Sequence, residues 1–337
     1  MDALCPFCNA RSDFRFRAKD LNNRVTEEPF DYYRCSACGL LYLSPIPADL
    51  AKYYRSNYIA YDIPASLEQL EAKAEQVRFR IDMVQQYAPK TGRLLEIGPS
   101  YGGFAFLAKK AGFSVDVIEM DSECCRFLKD VVGVNAICAD NVRKALAGLG
   151  QYDVIALWHV LEHLDEPWKV LDTLAEHLLP NGIIVISTPN PDSFQFKLFG
   201  RFWVHLDAPR HVSLLPAEWL ICFLEKRGVY KVMLTTTDPD VRKLNKFGWA
   251  QSFSNLLSNR QVKYQHKVAL PITNPDGQKL TKFGCLNWCW HLLVNILFTS
   301  GKYVFKHVFS RILCLYEETS MHGCAYTIVA KKNAINE

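Results

Sequence analysis

The chain has 337 residues, enough for a full domain core plus a second module or a large insertion. Hydrophobic residues make up 49% and charged residues 22%, which excludes wholesale disorder. Thirty-nine basic against 35 acidic side chains leave a formal net charge of +4, and that balance lacks the basic footprint of a dedicated nucleic-acid binder.

The first ten residues, MDALCPFCNA, contain no apolar run of the signal-peptide kind. Of the 12 cysteines, four form two C-x-x-C pairs, Cys5/Cys8 and Cys35/Cys38, and eight are scattered. The expectation is a reducing, cytosolic protein with one metal site. Each pair fits a tight turn, so four thiolates converge on a tetrahedral Zn²⁺. With all four positions filled by protein the zinc is structural; the alternative is a pair of redox dithiols. The gap between the pairs is polar and holds strand-like pieces (FRFRA, DYYRC), which suits a ribbon with a long hairpin over residues 1–48. A segment this small buries little core, so metal supplies folding energy. Residues 49–92 read as a proline-punctuated linker followed by a helix that opens at Ser66, where S-x-x-Q gives a capping box, and runs to about Tyr87.

From Arg93 short apolar runs alternate with amphipathic stretches: RLLEIG, GGFAFLAKKAG, FSVDVIEMD, ECCRFLKDVV, VNAICAD, NVRKALAGLG, YDVIALW, EPWKVLDTLAEHLLPNG and IIVISTPN. Five such strand–helix steps call for a parallel, doubly wound sheet over residues 93–237, with its ligand at the carboxyl ends of the strands. There stands Glu96-Ile-Gly98-Pro-Ser100-Tyr-Gly102-Gly103, and Glu119 ends the second strand 21 positions after Gly98. That separation suits a carboxylate accepting from a ribose diol. A dinucleotide site wants G-x-G-x-x-G, and this chain has G-x-S-x-G-G preceded by an acid.

The stretch LLEIGPSYGGFAFLAKKAGFSVDVIEMDSE resembles motif I and the second strand of class I S-adenosylmethionine (SAM) methyltransferases. YDVIALWHVLEHLDEP and LLPNGIIVISTPNPDS resemble their fourth- and fifth-strand motifs, and RCSACGLLYLSPIP resembles the zinc-bearing members of sugar and glycan pathways. Ser100 departs from the family's middle glycine. The resemblance implies an α/β fold: a doubly wound, mostly parallel, Rossmann-like seven-stranded sheet with an N-terminal zinc ribbon, to which the length of this chain adds a helical insertion before the last strand. It implies that Glu96 reaches the methionine end of SAM and that Gly98 and Gly102 let the backbone pass close. It further implies that Glu119 holds the ribose, that Asp140 or Asn141 meets the adenine edge, and that Trp158 borders the cofactor.

His159-Val-Leu-Glu162-His163 spells the H-x-x-E-H order of an inverted zinc-protease motif. It sits where strand four leaves the sheet and no further zinc ligand is nominated, which argues against proteolysis. Two readings remain: His159 as general base with Glu162 and His163 shaping the turn, or all three on a metal, as E-x-x-E-H does in related ubiquinone-pathway O-methyltransferases. After strand five, His205, Asp207, Arg210 and His211 cluster within seven residues. A near-neutral base (His205 or His211) and a cation (Arg210) suit a sugar-phosphate acceptor. The bland alternative is a loop whose polar residues bond one another.

WLICFLEKRG reads as a helix, YKVMLTTTD as a sixth strand and CAYTIVAKK as the last, in a terminal segment 323–337. Residues 238–322 between them are too long for a plain loop and form an insertion. Its run from Cys285 to Gly301 is too short and interrupted to span a membrane. Lys302, Lys306 and Arg311 then punctuate an amphipathic stretch that covers the acceptor pocket, forms a homodimer interface or lies on the inner membrane surface. The expected activity is methyl transfer from SAM to a small or lipid-linked, sugar-like acceptor, on oxygen or carbon. The rivals are a ribosomal-RNA methyltransferase with a zinc ribbon and a catalytically silent SAM-fold scaffold.

Overall fold

The computed structural model describes residues 3–54, 62–268, 313–315, 317 and 322–334, with side chains described only to residue 258 in the long ninth helix. Four short strands open the chain: β1 (Ala3–Leu4), β2 (Arg11–Lys19), β3 (Pro29–Cys35) and β4 (Leu41–Leu43). Each C-x-x-C turn closes the same way. The amides of Asn9 and Gly39 donate to the carbonyls of Cys5 and Cys35, and both residues take positive φ (58° and 74°). The antiparallel ribbon sheet gains a fifth strand from far along the chain: β10 (Ser213–Leu214) pairs with β4, Leu214 beside Leu41. The N-terminal module therefore shares its sheet with the segment that follows the His205–His211 loop.

Ser66 caps a helix as expected, its hydroxyl accepting from the Gln69 amide at 3.2 Å. The helix expected to reach Tyr87 is instead two, α1 (Leu67–Glu75) and α2 (Arg78–Tyr87). Val77 between them leaves helical geometry (φ −114°, ψ 15°) and packs on the sheet core, a tertiary preference that no proline or glycine signals.

The main sheet alternates β5 (Gly92–Ile97), α3 (Gly103–Lys110), β6 (Phe113–Glu119), α4 (Ser122–Phe127), β7 (Asn135–Cys138), α5 (Val142–Leu146), β8 (Tyr152–Trp158), α6 (Pro167–His177) and β9 (Leu178–Pro189). α7 (Phe194–Phe199), α8 (Ala217–Glu225), β11 (Val229–Thr235), α9 (Pro239–Val268) and β12 (Ala325–Lys332) complete it. The strand order is β11-β12-β9-β8-β5-β6-β7, with β12 antiparallel to both neighbours and the five strands from β9 to β7 parallel. The expected seven-stranded, mostly parallel architecture is observed. One boundary differs: α6 ends at His177, because Pro180 cannot continue a helix and Leu178 already pairs with Tyr152.

Strands buried on both faces feed two cores by alternation: Leu95, Ile97, Ile155 and Leu157 on one side, Leu94, Val154 and Ala156 on the other. A third core joins Phe30 and Tyr32 of the ribbon to Phe196, Trp203 and Trp249, fixing the ribbon against α7 and α9. Phe7, inside the first cysteine turn, packs edge-on against Trp219 at 4.8 Å. Among the described residues no helix is long and apolar enough to cross a membrane. The 285–311 stretch on which a membrane surface was expected lies outside the described residues.

Candidate active site

The carboxyl ends of β5 and β8 lie level, Ile97 beside both Ile118 and Leu157, and the strand order switches there, β6 and β7 lying to one side of β5 and β8 and β9 to the other. Doubly wound folds open a crevice at such a switch point. Here it holds a cavity of about 920 Å³, at the upper end of the small-molecule range. Glu96, Gly98, Glu119, Asp140 and Trp158 line one end, and His159, Glu162, His163, His205, Asp207 and His211 the other. Gly102 sits behind the wall in left-handed geometry (φ 81°), where a Cβ would collide with the Leu128 side chain. Three of the non-glycine residues with positive φ, Ser100, His159 and Asp207, belong to this lining, as expected where strain is stored at functional sites. Ser100 therefore adopts the backbone that a glycine would take. Its amide donates to Glu119 at 2.9 Å.

Glu119 is held by three backbone donors, Ser100 to one oxygen and Met120 and Asp121 to the other, at 2.8–2.9 Å. Burial raises its carboxyl, and those amides oppose the rise. Glu96 is buried, and burial pushes its carboxyl up to about 8 against the attraction of Arg80. Its Oε2 and the Trp158 indole nitrogen have no hydrogen-bond partner among the described residues. Two orphaned polar atoms, one acceptor and one donor, on one cavity wall fit a ligand carrying both kinds of partner. Asp140 lines the same end, whereas Asn141 does not: its side chain caps α5 by accepting from the Lys144 amide at 3.0 Å.

At the other end, His159 Nδ1 lies 3.4 Å from Glu162, and Nε2 lies 3.4 Å from the Ser187 hydroxyl. Burial would raise the Glu162 carboxyl, but His159, His163 and His211 together outweigh it and leave the group at about 2. Burial lowers His163 and His205 to about 4, keeping both neutral. His211 donates from Nδ1 to the His205 carbonyl at 2.8 Å, so its Nε2 carries the lone pair. His163 and His211 meet edge-to-face at 4.7 Å.

Arg210 departs from the expected substrate role. Its side chain is fully buried, bonded to Asp20 at 2.8 Å and Asp207 at 2.6 Å, and it does not line the cavity. Asp207 lines the cavity, with its charge matched by that guanidinium. Sequence reasoning did not single out Arg80, Met120, Tyr54 or the hairpin residues Asn22 and Asn23, all of which line the cavity. Arg80 pairs with Asp240 at 2.6 Å and stacks 4.7 Å from the Trp158 ring. Met120 alone carried a local signal, standing directly after Glu119.

The four ribbon cysteines converge, with Cys5–Cys38 and Cys8–Cys35 sulfur separations of 3.7 and 3.5 Å. Tetrahedral zinc with bonds near 2.3 Å requires sulfurs roughly 3.8 Å apart, so the set fits the ion.

The family described as "Methyltransferase domain" matches residues 50–234. A ubiquinone biosynthesis O-methyltransferase from Cereibacter sphaeroides (strain ATCC 17025) is 27% identical over 178 residues, 48% of this chain and 68% of that protein. One of the same name from Marinobacter nauticus is 37% identical over 75 residues, 21% of this chain and 29% of its own. A solved SAM-dependent methyltransferase from Archaeoglobus fulgidus is 18% identical, with a TM-score of 0.46 over 77% of this chain and 94% of that one.

Proposed function

The chain belongs to the methyltransferase-domain family and is a SAM-dependent methyltransferase; from that premise we propose that it methylates a small or lipid-linked, sugar-like acceptor, with His211 taking the acceptor proton. The observation that carries the cofactor placement is the pair of buried carboxylates. Glu96 has an unpartnered oxygen and Glu119 is pre-oriented by three amides, 21 positions after Gly98. SAM supplies an electrophilic methyl carbon when bound. Glu96 would hold its ammonium group, Glu119 its ribose hydroxyls and Asp140 the adenine edge. Gly98 and Gly102 shape the turn beneath, Trp158 borders the site, and Arg80 provides a cation on the same wall.

The protein's task is then to align an acceptor and remove its proton. His211 Nε2 has the lone pair for this, its tautomer fixed by the His205 carbonyl. His159 ranks second, because its two ring nitrogens already face Glu162 and Ser187. With Arg210 neutralised, the loop offers no free cation for a phosphate, and His205 and Asp207 line the acceptor wall. The named relatives methylate oxygen, and an oxygen acceptor is the reading carried here. An RNA acceptor would face Glu162, Asp165 and Asp207 instead of a basic surface. Cys5, Cys8, Cys35 and Cys38 would hold a structural zinc.

Calorimetric titration with S-adenosylhomocysteine tests the site. Micromolar binding that weakens in Glu119→Ala and survives in His211→Ala supports the assignment, and no binding by folded protein leaves a silent scaffold. A second reading rests on Glu162, His163 and His211, whose ligand atoms all lie within 4.8 Å of one another. A divalent cation there would use the His211 lone pair, and would replace the His159–Glu162–His163 set suggested by the motif. Loss of activity in chelator with the ribbon metal still bound would favour it.

A further inference from the structure

The N-terminal hairpin reaches the same cavity as the methyltransferase residues. Asp20 ties the turn between β2 and β3, accepting from the amides of Asn23 (3.1 Å) and Val25 (2.9 Å) and from Arg210 (2.8 Å). Asn22 uses both amide hydrogens, one on the Val204 carbonyl and one on Asp207. What Asn22 has left to offer is its carbonyl oxygen, a group that only accepts. Asn23 stands beside it on the cavity wall. α9 adds Phe247, 51% exposed, and Gln251, whose amide nitrogen is held by Asn255 at 3.1 Å. A half-exposed aromatic ring lining the same cavity as three uncharged carboxamides matches a saturated ring bearing hydroxyls. The hydroxyls donate to amide oxygens, and the ring's C–H face covers the phenyl.

We propose that Asn22, Asn23, Phe247 and Gln251 form the acceptor subsite, so that the metal-bearing module recognises a hydroxylated ring in addition to holding a fold. The assignment rests on the methyltransferase reading above. It also explains why the hairpin is fastened so firmly: the buried Asp20–Arg210–Asp207 set joins the turn to the loop that carries His211. The hairpin half of the subsite is therefore tied to the loop that carries the proton acceptor, which orients the acceptor toward the base.

The test uses full-length protein saturated with S-adenosylhomocysteine. Saturation-transfer NMR compares methyl β-D-glucopyranoside with catechol on wild type, Asn23→Ala, Phe247→Ala and Phe247→Tyr. The glucoside should bind, weaken roughly tenfold in Asn23→Ala and Phe247→Ala, and persist in Phe247→Tyr, with S-adenosylhomocysteine affinity unchanged throughout. Equal glucoside binding in both alanine variants would overturn the subsite, as would catechol binding in preference to glucoside. Absence of glucoside binding to the cofactor-loaded wild type would overturn it too. Failure of S-adenosylhomocysteine itself to bind would strike the cofactor reading instead.

Discussion

S-adenosylhomocysteine should bind more tightly as pH rises from 6 to 8, and Glu96→Gln should abolish that dependence. Burial moves the Glu96 carboxyl from its ordinary 4.5 to about 8 in the ligand-free protein. Holding an ammonium group requires the carboxylate, yet two units below its pKa only about 1% of the protein has it. Apparent affinity at pH 6 should thus fall about 100-fold short of its limit, near 2.7 kcal/mol, and each binding event should release close to one proton. Stability follows the opposite course. The folded pKa is raised, so the native state holds more protons than the unfolded chain between the two values. Ligand-free stability therefore declines as pH climbs from about 4.5 to about 8, and bound ligand offsets the loss. Titration calorimetry in two buffers of different ionisation enthalpy counts the protons directly. A dissociation constant that stays flat from pH 6 to 8 with no proton release, or an unchanged slope in Glu96→Gln, would refute the reasoning.

The remaining predictions concern what holds the site. Arg210→Met leaves Asp20 and Asp207 without their countercharge and should cost about 3–5 kcal/mol in a urea titration; adding Asp20→Asn and Asp207→Asn should restore much of it. Burial raises the Asp207 carboxyl, but Arg210, His211 and Asn22 together lower it overall, so its share of stability holds above its ordinary pKa and is lost as acid protonates it. Gly102→Ala forces a side chain into left-handed backbone against Leu128 and should lower stability by about 1–3 kcal/mol in the same titration. Metal analysis should find one zinc per chain, and Cys35→Ser should expose the 20–28 hairpin turn to protease; a metal-free protein of equal resistance would remove the structural zinc.

The parts legible in the sequence are those whose causes are local. A C-x-x-C turn is closed by its own amides. The order Glu96, Gly98, Gly102, Glu119 follows from one strand–turn–helix–strand unit, and the apolar runs of the parallel strands announce a sheet covered on both faces. Arg210 misled because its surroundings in sequence, two histidines and an aspartate, look like a ligand site. Its deciding partner, Asp20, stands 190 positions earlier and carries no motif. The break at Val77 and the pairing of Leu214 with Leu41 were hidden for the same reason, being tertiary preferences with no residue that enforces them locally.

That distinction bears on where a domain boundary belongs. Composition places one near residue 48, just past the closely spaced Pro45 and Pro47, and the cysteine spacing makes the preceding segment look self-sufficient. The structure has β10 completing the ribbon sheet and Asp20 buried against Arg210 in the loop that carries His211. A ribbon joined at both points cannot shift without moving the wall opposite the cofactor end. Metal occupancy of the ribbon and acceptor binding should accordingly be coupled through this shared sheet, even though none of the four ribbon cysteines lines the cavity.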